Sequence, residues 1–432
     1  MEALMQYVWQ FRLWPSEHMV TNDGRRVHVI DPGLHNHDAG PDFFNAKVVI
    51  DGQQWVGNVE IHVHASDWVR HGHDRDRAYD TVVLHVVEYD DMEIHRPDGQ
   101  TIPQLVMKCA EDFAIKYHNM VNNTFRELAC GGELSSLPQL YITDWLSALA
   151  LERLHSKAER IHALLESNHA NWAETIYVTL ARALGFGVNS QPFELLAKSM
   201  PLKRLLQHTD NIKQIEAMLF GQSGFLEVLP VPHEAYAEKL SEEYAFLRAK
   251  YGLERSKNIV WKMARMRPQN CPHRRIAALA SIVADGFTIS NRMIEVNSEA
   301  EARALFDIKL HGYWKSHYNF ASDSNSASTK ALSQASVNVI LINVVIPVIF
   351  AYGVYTGDER RQNFAVDLMQ SLKPESNHIV DVFMAAGVTV YDAFTSQALI
   401  QLKREYCDSR KCLFCRIGHK LLSRKVTRIP LS

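Results

Sequence analysis

Two acidic residues and a histidine are spaced as a hydrolytic metal site requires. Gly40-Pro41-Asp42-Phe43 is followed, after 16 residues, by Glu60-Ile61-His62. Residues 43–50 and 54–64 carry strand patterns, and Asp51-Gly52 between them is a hairpin signal. Side chains alternate along a strand, so Glu60 and His62 share one face while Val59, Ile61 and Val63 take the other. The hairpin carries Asp42 towards Glu60. Two carboxylates facing one point, with a backbone carbonyl nearby, make an oxygen-rich site for a hard divalent ion such as Mg²⁺ or Mn²⁺. Such an ion activates water and stabilises charge on a phosphodiester. A neutral His62 can accept a proton near pH 7. The competing structural reading has Asp42 capping a turn and Glu60 in an ordinary ion pair, because a buried charge needs a partner.

The neighbouring histidines offer a second chemistry. His62, His64, His71, His73, Asp74 and His85 lie within 24 residues. His-x-His on a strand can place two imidazoles on one zinc ion, which makes a zinc hydrolase on His62, His64 and His85 the alternative. The metallo-β-lactamase pattern, however, requires Asp two residues after the second His, and here Ala65 and Ser66 precede Asp67. His71-Gly72-His73-Asp74 reads as a solvated turn. His85, inside an apolar run, reads as a core histidine or as a site residue on the strand beside Glu60.

A third cluster closes the sequence. Cys407-x4-Cys412-x2-Cys415 with His419 has ligand types and spacing competent for tetrahedral Zn²⁺. An iron–sulfur cluster would need a distant fourth thiol such as Cys130; uncommitted thiols are the plain alternative. Residues 401–432 hold nine Lys/Arg against Glu405 and Asp408, a charge of +7. Lys411 and Arg416 in that tail are candidates for contact with nucleic-acid phosphates. Arg265, Arg267 and Arg274 form a second basic patch beside Trp261, which fits phosphate binding or an exposed helical junction.

These residues need elements to place them. Residues 3–14 suit one amphipathic helix. Strands follow at 26–30, 43–50, 54–64 and 81–88, with a short helix near 65–70 opened by Asp67-Trp68 and a last strand pair around Pro97-Asp98-Gly99. This order predicts a small mixed α/β sheet over residues 1–112. Helical periodicity then dominates, over 142–165, 172–184, 193–200, 202–208, 212–219 and 236–251, with a helix after Asn270-Cys271-Pro272. The fold class expected is α+β, with a helical domain over 113–405 and a Cys-rich basic segment over 406–432. Residues 321–329 read as a polar loop. The apolar run 337–352 contains Asn338, Asn343 and Pro347, is short for a bilayer, and predicts a buried helix.

Composition narrows the class. With 432 residues, 47% hydrophobic and 22% charged, the chain is neither disordered nor collagenous, and six scattered cysteines exclude a disulfide scaffold. The net charge of −3, with −10 outside the tail, excludes a polycation that coats nucleic acid. No basic n-region precedes an apolar run at the start, so no signal peptide, no membrane span and a cytoplasmic location are expected.

The Pro41-Asp42 and Glu60-Ile61-His62 segments resemble the PD-(D/E)XK nuclease superfamily. The resemblance implies that Asp42 and Glu60 bind Mg²⁺ and that the third residue orients or deprotonates the attacking water; His62 stands where that family has Lys. It further implies an acidic residue on the first helix, for which Glu2 is the only one available. Nearly the whole chain also resembles an uncharacterised bacterial domain-of-unknown-function family. The resemblance is carried by Gly40-Pro41-Asp42-Phe43-Phe44-Asn45-Ala46, Gly57-Asn58-Val59-Glu60-Ile61-His62, Ser66-Asp67-Trp68, Leu84-His85-Val86-Val87, Ile342-Asn343-Val344 and Cys412-Leu413-Phe414-Cys415. It implies identity without a mechanism. The expected function is metal-dependent phosphodiester hydrolysis on DNA or RNA by Asp42, Glu60 and His62. The rival is a non-catalytic binding scaffold, which the acidic balance of residues 1–400 favours.

Overall fold

A computed structural model describes residues 1–14, 19–36, 38–96, 99–122, 127–227, 235–256, 258–264, 268–320 and 330–423. The chain divides into two compact units: residues 1–138 with 404–432, and residues 139–403. The sheet domain thus extends beyond residue 112, and the C-terminal segment belongs to it.

The first unit opens with helix α1 (Glu2–Gln10), which buries Leu4, Met5, Tyr7, Val8 and Trp9. Seven strands follow: β1 (Met19–Val20), β2 (Arg26–Asp31), β3 (Leu34–His35), β4 (Phe43–Ile50), β5 (Gln53–His64), β6 (Val82–Tyr89) and β7 (Gln104–Val106). They form one sheet in the order β1-β2-β4-β5-β6-β7, with β3 paired to β4. β2, β4 and β5 are antiparallel; β5, β6 and β7 are parallel. The β4–β5 turn is Asp51-Gly52, with φ of +50° and +84°. Two consecutive positive φ values are what a two-residue hairpin turn with the right-handed strand twist demands, and Gly supplies the second at no steric cost.

A parallel step needs a crossover, and residues 65–81 supply it through helix α2 (Asp67–Arg70) and a 3₁₀ turn, Arg77–Tyr79. Trp68 and Tyr79 on that crossover pack with Val82, Ile94 and Ile102. Val59, Ile61, Leu84 and Val86 are buried on the other strand face. The last strand pair expected around Pro97-Asp98-Gly99 becomes an isolated His95–Thr101 bridge beside the short β7, and Pro97 and Asp98 lie outside the described residues. Helix α3 (Glu111–Val121) and the helix Arg416–Leu422 complete this unit.

The second unit is helical. α4 (Gln139–Ser167), α5 (Trp172–Leu184) and α6 (Ser190–Ser199) start it. The apolar run becomes a continuous helix, Gln334–Thr356, the one described helix long and apolar enough to cross a membrane; 72% of its most apolar window is buried inside the fold. A five-residue π-helical segment, Leu341–Val345, interrupts it just before Pro347. Pro347 has no N–H to donate to the preceding turn, so a local change of helical register there has a chemical cause. Residues 321–329 lie outside the described residues.

One glycine decides how closely β5 meets β6. A Cβ on Gly57 would lie 2.3 Å from Val83 Cγ1 and 2.8 Å from the Thr81 carbonyl. Gly57→Ala should therefore cost about 2 kcal/mol, the scale of overpacking a tight site, seen as a lower urea midpoint with an unchanged slope. Unaltered stability would show that the strands part freely there.

Candidate metal site

The site is built on β5. Its residues 59–62 are all buried, with Glu60 4% and His62 1% exposed. Parallel register sets Glu60 beside His85 of β6. β4 carries a bulge between Phe43 and Ala46, where Asn45 has φ +55°. The irregularity falls next to Asp42, and a reciprocal pair of hydrogen bonds follows. The Asp42 backbone N–H donates to Glu60 Oε2 at 3.0 Å, and the Ile61 N–H donates to Asp42 Oδ2 at 2.9 Å. From α1, Gln6 Nε2 donates to Asp42 Oδ1 at 2.8 Å. The hairpin thus brings Asp42 and Glu60 together, each carboxylate with one oxygen engaged by the other's strand.

The second oxygen of Glu60 faces imidazoles. Glu60 Oε1 lies 3.3 Å from His73 Nε2 and 3.5 Å from His62 Nε2. His62 Nε2 is 3.2 Å from His71 Nδ1. His62, His71 and His73 each offer a ligand atom, all within 4.8 Å of one another. Ligands placed about 2.0–2.1 Å from a tetrahedral ion lie roughly 3.3–3.4 Å apart, so three measured separations match the edges of such a polyhedron. Three imidazole nitrogens, with a carboxylate oxygen beside two of them, suit zinc and its first-row neighbours; an all-oxygen set would suit Mg²⁺.

The 71–74 turn therefore does more than the sequence suggests. Gly72, at φ +79°, reverses the chain immediately after α2. The His73 ring stacks 3.8 Å from the Tyr79 ring and edge-on to Trp68. His73 is thereby anchored in the crossover core while His71 remains exposed. The signal available beforehand was two histidines around a glycine, which alternation and periodicity do not interpret.

His85 stands behind the site. It is fully buried, and its Nε2 is 2.8 Å from His62 Nδ1. Its own Nδ1 is buried without a hydrogen-bond partner. The contact fixes the His62 ring so that Nε2 points at the acid. His64, by contrast, is turned away: it lies 3.7 Å from Asp91 Oδ2 and stacks on Tyr89. The imidazole set is thus His62, His71 and His73, in place of His62, His64 and His85. Glu2 adds negative charge that is felt at Asp42, Glu60 and His73.

Electrostatics mark an acid-rich pocket short of positive charge. Burial, then the neighbouring Glu60 charge, raises the Asp42 pKa to about 7. Burial raises that of Glu60 to about 8. Burial, with the nearby His73 and His71, lowers His62 to about 3. Burial also lowers His73, and lowers His85 well below the ordinary value. Carboxyls held protonated beside imidazoles held neutral form a donor set that a divalent cation would satisfy.

The other expected residues are placed differently. The thiol of Cys130 is close enough to Cys415 and Cys412 that, after burial, their charges help push its pKa up to about 12. His419 is engaged through Nδ1 with the Tyr7 hydroxyl and packs against Phe11. Among the described residues the metal-competent group is the histidine cluster, and Cys407, Cys412, Cys415 and His419 do not form one. Lys411 and Arg416 are exposed. Arg274 is 1% exposed and donates to the carbonyls of Trp314, His317 and Lys330, so it holds loops in place instead of facing a phosphate. Arg265 and Arg267 lie outside the described residues.

A family model described as protein of unknown function (DUF2851) matches residues 2–378. The chain belongs to this family. The matched span contains Asp42, Glu60, the three clustered histidines and His85, and it stops before the C-terminal cysteines. No curated protein and no solved structure matches the chain significantly.

The raised carboxyl values make stability depend on pH. Against unfolded values of 3.8 and 4.5, the native state holds extra protons on Asp42 and Glu60, so their contribution is full below pH 4 and is lost as pH rises through about 7 and 8. His62 acts oppositely, below its unfolded value of 6.5. Between pH 6.5 and 8.5 the two acids dominate, joined near pH 7 by Glu216, which burial also raises to about 7. Metal-free protein should lose on the order of 2 kcal/mol across that window, and saturating Zn²⁺ should restore it. Chemical denaturation in chelator checks this; a flat profile would mean that the acids are not buried as described.

Proposed function

We propose that the chain is a metal-dependent hydrolase of phosphodiester bonds in nucleic acid. The observation that carries the reading is the cluster of His62, His71 and His73, whose ligand nitrogens lie within 4.8 Å of one another, with Glu60 Oε1 beside His62 and His73 and the Asp42 backbone hydrogen-bonded to Glu60. The order α1, antiparallel β2-β4-β5, α2, parallel β6, with the acids on the β4–β5 hairpin, supports the likeness to the PD-(D/E)XK nuclease superfamily. The donor set supports Zn²⁺ or Mn²⁺ over Mg²⁺.

Such an ion supplies Lewis acidity and a hydroxide near neutral pH. The chain's own residues do the rest. The three imidazoles would hold the ion, with Glu60 beside His62 and His73, which leaves a fourth position for water. His62 serves here as a ligand, where its position in the motif would make it the activator of water. His85 fixes the His62 ring, as outer partners of metal ligands do. Asp42, held by Gln6 and the Ile61 N–H, is positioned to orient the nucleophile and take its proton. His71 leaves the centre open on its solvent side, where an extended backbone can enter.

The full chain incubated with single- and double-stranded DNA and RNA should cut at least one of them with Mn²⁺ or Zn²⁺, and less well with Mg²⁺. Glu60→Gln and His73→Ala should each lower the rate by about 10²-fold or more with unchanged circular dichroism. His85→Ala should weaken metal binding by about 10–100-fold. Tight metal binding with no cleavage of any substrate would sink the enzyme reading and leave a metal-stabilised binding protein.

A further inference from the structure

A separate feature of the helical unit points to a ligand. Helices α4, α5 and α6 line a half-open pocket of about 260 Å³. Arg160 and Leu164 come from α4, Thr179 and Arg182 from α5, and Glu194 and Lys198 from α6. Three cations therefore face one carboxylate, a wall of net charge +2. Glu194 is already divided: Oε2 accepts from Arg182 at 2.5 Å and Oε1 from Lys198 at 2.7 Å.

Arg160 is left over. It makes no hydrogen bond or ion pair among the described residues, and its recorded electrostatic neighbours are Arg182 and Glu194. Its side chain is exposed, at the mouth of the pocket. Two guanidinium groups and a lysine at one pocket mouth, sharing a single carboxylate, leave a positive potential that an anion would relieve. Guanidinium forks match tetrahedral oxyanions with paired N–H···O bonds, and a dianion balances +2 where a carboxylate would not. The volume lies just below the usual range for ligand pockets, which fits a phosphate on a small body better than a whole nucleotide. Leu164 gives that body an apolar wall, and the Thr179 hydroxyl lines the same space.

We infer that this pocket binds a small phosphate monoester, with Arg160 and Arg182 gripping the phosphate oxygens and Lys198 completing the charge. The Arg182–Glu194 pair is the element that yields, because the phosphate competes with Glu194 for the same guanidinium. The site is independent of the histidine centre and stands or falls separately.

Calorimetric titration of the full chain with ribose 5-phosphate, with ribose and sodium sulfate as controls, tests it. Saturable binding to ribose 5-phosphate, weaker binding to sulfate and none to ribose are expected. Arg160→Gln should weaken binding roughly tenfold or more, the effect of losing a charge-assisted bond, without lowering the melting temperature, since Arg160 has no protein bond to lose. Glu194→Gln should tighten it, because the pocket's charge rises to +3. Absence of saturable binding, equal binding of sulfate, unchanged affinity in Arg160→Gln, or weaker binding in Glu194→Gln would each overturn the proposal.

Discussion

Burying the Glu60 carboxylate at the centre of the sheet is the constraint on which the first unit turns. Glu60 lies on a strand flanked by β4 and β6, with apolar Val59 and Ile61 on either side. Desolvating a carboxylate there costs several kcal/mol unless it is neutralised or paired. One oxygen is answered by the Asp42 N–H. The other is answered by imidazoles brought from two directions: along the strand for His62, and from the crossover turn for His73. The bulge at residues 43–46, the close β5–β6 contact at Gly57 and the reversal at Gly72 all serve this arrangement. None of them supplies a full positive charge beside the two carboxylates; a divalent cation would.

The same geometry explains what could be read from sequence. The Asp51-Gly52 turn fixes the β4–β5 register, and register together with alternation places Glu60 and His62 on one face. The pairing of Asp42 with Glu60 was therefore legible from local rules. So was the buried apolar helix near residue 345, since Asn343, Asn338 and Pro347 already argued against a bilayer. The role of His71 and His73 was not legible. A polar turn with a glycine has the composition of a solvated loop, and only the packing of His73 against Tyr79 and Trp68 turns it inward.

Long-range topology accounts for the remaining differences. The basic C-terminal segment joins the sheet unit, where Tyr7 of the first helix meets His419. No local pattern announces such a return. Arg274 was misplaced for a different reason. A run of Arg in sequence looks like a solvated face, yet carbonyls at loop ends need donors when buried, and a guanidinium provides several from one side chain. Charge in sequence reports composition; whether it meets solvent, carbonyls or a ligand is decided by packing.

Anomalous diffraction at the zinc edge from crystals grown with Zn²⁺ tests the account most directly. The account predicts one strong peak bonded to the His62, His71 and His73 imidazoles, each about 2.0–2.1 Å away, with Glu60 Oε1 beside it. No peak, or an ion held by Asp42 and Glu60 alone with the imidazoles bonded to one another, would contradict it.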